Sequence, residues 1–150
     1  MLYHLFLSWQ ESFSALNVFR YLTFRSMLAF FLTLAMVLFF QPKFIRWFRN
    51  NALGQPIRDD GPQSHLTKAG TPTMGGVVVV LAVAISTLLL SDLTNLYIWI
   101  ILFLTLGYGA IGFVDDWKKV RIKNSKGISA SSKMFWQIFL ATVAVMLVLL

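Results

Sequence analysis

The chain has 150 residues, 57% of them hydrophobic and only 13% charged, with a mean hydropathy of +0.70 and a formal charge of +7. Soluble domains carry about 25% charged residues, so this composition excludes an ordinary soluble domain and points to the membrane. With no cysteine, disulfides, thiol nucleophiles and Cys-based metal sites are excluded, and His4 and His65 are too few for a His-rich metal centre.

Met1 to Leu16 carries no early Lys or Arg and no small-residue cleavage site behind an apolar core, so residues 1–20 read as an interfacial segment, with a floppy tail as the plain alternative, and not as a cleavable leader. Trp9 and Phe13 are placed to dip into the membrane surface. The first apolar stretch runs from Ser26 to Phe40 and extends towards Tyr21 if Arg25 snorkels, which predicts a span over 21–41. A cytoplasmic loop is expected over 42–72. Its stretch from Gly54 to Pro62 is turn chemistry.

Thr71 followed by Pro72 reads as a helix start, a hydroxyl cap before proline at the first helical position. The second span is therefore expected over 73–91, beginning at about Pro72. Its free N–H groups and positive dipole end would form an anion site flanked by Lys68 and Thr73. Gly75 and Gly76 remove side-chain bulk there. The third span is expected over 96–116 and a second basic loop over 117–133. The fourth span, 134–150, closes on Met-Leu-Val-Leu-Leu with no interfacial anchor, which reads as a truncated helix of a longer protein. The fold class is thus all-α, a polytopic membrane protein with four transmembrane helices in this chain.

Charge sets the expected orientation. Lys43, Arg46, Arg49, Arg58 and Lys68 fall in the first long loop. Lys118, Lys119, Arg121, Lys123, Lys126 and Lys133 fall in the second, whereas 91–96 holds only Asp92. Both basic loops belong in the cytoplasm by the positive-inside rule, with the N-terminus outside. In such a chain the basic excess fits a cytoplasmic face or phosphate-bearing substrates, and no nucleic acid is expected.

Asp115 and Asp116 close the third apolar run at this cytoplasmic boundary. Acids there are disfavoured by the negative end of the helix dipole, and intramembrane acids are functional candidates by default. Neighbouring helical residues point about 100° apart, so one acid is free to face the bundle interior while the other reaches a metal, a lysine or a substrate. Oxygen ligands of this kind suit Mg²⁺ together with substrate phosphates. Pairing of both acids with Lys118, Lys119 or later bases is the plain structural alternative.

Ile57 to Pro62, His65, Lys68 and Gly70 to Gly76 resemble the first cytoplasmic loop of the phospho-N-acetylmuramoyl-pentapeptide-transferases, and Gly107 to Asp116 resembles their aspartate-bearing third helix. Asn17 to Phe19 and Tyr21 to Arg25 are similar to the family's N-terminal approach. The resemblance implies a bacterial inner-membrane enzyme of about ten transmembrane helices. It transfers phospho-N-acetylmuramoyl-pentapeptide from UDP-N-acetylmuramoyl-pentapeptide to undecaprenyl phosphate, giving lipid I and UMP with Mg²⁺, in peptidoglycan synthesis. The matching positions are Asp115 and Asp116 as catalytic acids and candidate metal ligands. Lys68, Thr73, His65, Lys133 and Lys123 are the matching substrate or phosphate contacts. Membrane lipid and a homodimer are further expected partners. The family's third catalytic aspartate, nucleotide loop and histidine cluster are not in this sequence, so the chain alone is expected to be inactive. Two other readings stand beside this one. The first is a different polyprenyl-phosphate N-acetylhexosamine-1-phosphate transferase. The second is a non-enzymatic four-helix adaptor or cation relay using the aspartate pair.

Overall fold

The computed structural model describes residues 2–9, 13–50, 74–122 and 127–149. Among them the secondary structure is entirely helical: α1 (Leu2–Trp9), a 3₁₀ segment (Ser14–Arg20), α2 (Leu22–Asn50), α3 (Gly76–Leu90), α4 (Leu96–Ile122) and α5 (Ala130–Leu149). The protein is an all-α, multi-pass membrane chain. α2, α4 and α5 are each long and apolar enough to cross a bilayer. With 15 residues, α3 extends about 22 Å, less than the ~30 Å hydrocarbon core.

Helix boundaries differ from the sequence expectation, α5 among them, which starts at Ala130 and not at 134. α2 does not stop before Pro42 but continues to Asn50 with the proline inside it. Proline removes a helical hydrogen bond and crowds the preceding turn. Here Phe44 and Phe48 offset that cost by packing against Met74, Val77 and Val120. α3 is described from Gly76, and just before it Met74 takes a φ of 71°, while the expected start at Thr71-Pro72 lies outside the described residues. A right-handed helix cannot run through that left-handed conformation. α4 continues past the aspartates to Ile122, so the pair lies inside the helix, more than a turn from its end. The dipole penalty fades within the last turn and is smaller there than expected.

Packing follows chain order, with α3 held between α2 and α4 and α5 packed on α4. Close approach depends on small residues. A Cβ at Gly109 would lie 3.0 Å from Val80 Cγ1, and one at Gly107 would lie 2.8 Å from Leu140 Cδ1. Between α2 and α3, Ser86 is fully buried with its hydroxyl at 4.0 Å from Met36 Sδ. The Phe48, Met74 and Val120 cluster gathers the C-terminal ends of α2 and α4 with the entry to α3. At the opposite end the Arg25 guanidinium lies 4.1 Å from the centre of the Tyr3 ring and donates to the Leu90 carbonyl at 3.5 Å. His4 there meets Asp92 at 3.3 Å. The N-terminal segment is therefore folded, with α1 resting against α3, while Trp9 and Phe13 remain exposed.

Candidate active site

The two adjacent acids have different surroundings. Asp115 is buried, its side chain 10% exposed. Its Oδ2 receives the Lys119 ammonium at 2.6 Å, and Lys133 approaches the same oxygen at 3.7 Å. Its Oδ1 accepts the Ile128 backbone N–H at 2.9 Å. The Lys119 contact follows from sequence spacing, since residues four apart stack on one helix face. The Ile128 contact is tertiary. It requires the chain after α4 to fold back over the acid, and Gly127 permits this, because a Cβ there would collide with Asp115 Oδ1. Lys133 arrives on the first turn of α5. A buried carboxylate is tolerated when it is paired and hydrogen-bonded, and both oxygens of Asp115 meet that condition.

Asp116 points elsewhere, as the 100° helical offset requires. It is 35% exposed, and Lys119 is its ion-pair partner at a longer 3.5 Å. It lines a cavity of about 350 Å³ between α3 and α4, walled by Met74, Gly76, Val77, Val80, Gly109 and Phe113 among others. The cavity is open because its glycines carry no bulk. A Cβ at Gly76 or Gly112 would meet nothing within 4 Å. The first turn of α3 opens into the same space, and its Gly75 cap makes no side-chain hydrogen bond. Free N–H groups at a helix start favour anions. An acid and an anion-favouring helix start thus share one apolar chamber, an arrangement suited to phosphate with a bridging cation.

Of the residues singled out from sequence, Asp115, Asp116 and Lys133 come together at this end of the bundle. His65, Lys68, Thr73 and Lys123 lie outside the described residues, as does the Thr71-Pro72 helix start. Gly127, the Ile128 N–H and the left-handed Met74 were not anticipated. The Asp115 to Lys119 spacing is a visible helical signal. The Ile128 contact, 13 residues away, has no local signature. Met74 is 5% exposed at the cavity wall. Bulky residues seldom adopt its backbone conformation, and such strain is concentrated at functional sites.

Among the described residues no group of three or more His, Cys, Asp or Glu side chains gathers to hold a metal. Mg²⁺ commonly uses one or two protein carboxylates, with waters and substrate phosphates completing its shell. Asp116, with one distant lysine, fits that role. Asp115, with both oxygens engaged, does not fit it without releasing a partner.

Residues 68–80 match the family signature described as phospho-N-acetylmuramoyl-pentapeptide-transferase signature 1. Its last residues form the start of α3, and Gly76, Val77 and Val80 within it line the Asp116 cavity. The chain is also similar to the phospho-N-acetylmuramoyl-pentapeptide-transferase of Pelobacter propionicus, 52% identical over 141 residues that cover 94% of this chain and 39% of that relative. The chain thus spans about two-fifths of the relative's length.

Proposed function

Because the chain belongs to the phospho-N-acetylmuramoyl-pentapeptide-transferase family, we propose that it supplies the acidic half of a transferase site at the cytoplasmic face of the bacterial inner membrane. The reaction moves phospho-N-acetylmuramoyl-pentapeptide from its UDP carrier to undecaprenyl phosphate. An oxygen of the lipid phosphate attacks the sugar-bound phosphorus, the P–O bond to the uridylate breaks, and lipid I and UMP result. The observation that carries this reading is the shared wall. The signature segment and Asp116 face the same cavity.

The acids divide the work. Asp116 is the group that meets the reacting phosphates, accepting the lipid phosphate's proton or holding Mg²⁺ against it. Bound Mg²⁺ neutralises phosphate charge, which supplies much of the catalysis in phosphoryl transfer. Asp115 is a positioning residue. Through Lys119, Lys133 and the Ile128 N–H it fixes Ile128 and the first turn of α5 against α4. Lys133 screens the accumulated negative charge of the site, and Lys68, Thr73, His65 and Lys123 are proposed as further phosphate or nucleotide contacts.

The test is lipid I formation from radiolabelled UDP-substrate in membranes carrying this chain joined to the remaining length of a family member. Asp116→Asn is expected to lower turnover by about 10²–10⁴, the range for a lost general acid or base. Asp115→Asn is expected to be milder and to be accompanied by reduced thermal stability. Full turnover in Asp116→Asn would overturn the assignment. Membranes holding the 150-residue chain by itself should form no lipid I, and product there would refute the partial-site reading.

A further inference from the structure

A second cavity, about 460 Å³, lies on the other side of α3, between it and α2. Its walls are Met36, Phe40, Phe44, Trp47, Leu81 and Ile85 among others, and Lys43 is the charged residue on its rim. It is separate from the Asp116 cavity and no step of the transfer uses it. We propose that this groove is a binding site for an anionic phospholipid, with one acyl chain between α2 and α3 and the phosphate at Lys43.

Depth and charge support that occupant. From Leu22 to Lys43, α2 covers about 32 Å, close to the ~30 Å hydrocarbon thickness. Lys43 therefore sits where headgroups begin if α2 enters the membrane at Leu22. Along the groove, Lys43 back to Met36 covers about 10 Å of helix, running inward from that boundary as the upper part of an acyl chain does, while Phe44 and Trp47 flank the headgroup level. Ala82, small and buried, leaves room at the base of the groove. Lys43, Arg46 and Arg49 recur every three residues and share a sector of about 120°. Among the described residues none of the three has a carboxylate within 4.0 Å. The Lys43 ammonium rests over the Phe39 ring at 3.5 Å. Phe40, Trp47, Leu81 and Ile85 are all substantially exposed.

Trp47 lines the groove and reports on it. A variant with Trp9, Trp99, Trp117 and Trp136 changed to Phe would be placed in vesicles containing brominated-chain phosphatidylglycerol or phosphatidylcholine at equal fraction. Trp47 is expected to be quenched by the anionic lipid at a lower fraction than by the zwitterionic one. Lys43→Gln is expected to weaken that preference about fivefold, the weight of one basic side chain near an anionic surface. Val78 also lines the groove, and Val78→Phe, which fills it, should abolish the preference. Native mass spectrometry of the unaltered chain should show retained phosphatidylglycerol, lost in Lys43→Gln. Equal quenching by both lipids would mean ordinary boundary lipid and would overturn the proposal. So would a Trp47 that neither lipid reaches, since protein would then cover the groove.

Discussion

A methyl group at Gly127 would run into Asp115 Oδ1 and sit 2.9 Å from Lys119 Cε. Neither neighbour is a loose chain end, since each is held by the other at 2.6 Å. Gly127→Ala is therefore expected to cost about 1–3 kcal/mol, the usual range for overpacking, read as a lower unfolding temperature in detergent. Because the same contact is broken, combining it with Asp115→Asn should cost less than the two separate losses together. Met74 offers a different residue-scale test. Its φ of 71° favours glycine, while its buried side chain favours a large apolar group. Met74→Ala loses the packing and keeps the strain. Met74→Gly loses the packing and relieves it. Both should destabilise, with Met74→Gly retaining about 1–2 kcal/mol more stability, the penalty for a Cβ in left-handed backbone. Equal losses on denaturant titration would show that the conformation is not strained.

Between helices, two glycines of α4 do different jobs, and the difference is measurable. Gly109 abuts Val80 at 3.0 Å from a would-be Cβ, whereas Gly112 faces open space. Alanine is favoured over glycine within a helix by about 1 kcal/mol. Gly112→Ala should thus hold or raise stability, whereas at Gly109 the tighter α3–α4 contact should cancel the gain or reverse it. A common effect at both positions in unfolding assays would remove the close-packing role given to Gly109. The long apolar helices were legible from composition and run length alone, because a bilayer demands about 20 apolar residues whatever packs against them. Their ends were not. α2 passes through Pro42 because Phe44 and Phe48 find Met74 and Val120, partners remote in sequence. Likewise the aspartate pair and its angular offset were readable, but which acid turns inward depended on Ile128 folding back, and nothing near Asp115 announces that.

Across the whole molecule, chemistry and mechanical closure lie at opposite ends. The end away from the acids is tied by Asp92, whose carboxylate accepts the Thr94 hydroxyl at 2.7 Å and the Thr94 N–H at 3.1 Å. The Thr94 hydroxyl chiefly holds its pKa below the ordinary 3.8, against a smaller desolvation effect, with the Thr94 N–H, His4 and Arg25 adding to it. A depressed carboxylate stabilises the fold above its unfolded value and loses that contribution as pH falls through the folded one. Acidification below 3.8 should loosen this end in the native chain, while Asp92→Asn should remove that dependence, followed by amide exchange in α1. The effect is small, as the group is exposed. The brevity of α3 has a larger consequence. A 15-residue rod cannot bridge the oil on its own, so the lipid must thin or water must dip inward where it ends. If α3's shortfall falls on the side of Asp116, the polar phase there descends into a shallow well beside the acid. A charged group would then reach Asp116 without leaving water.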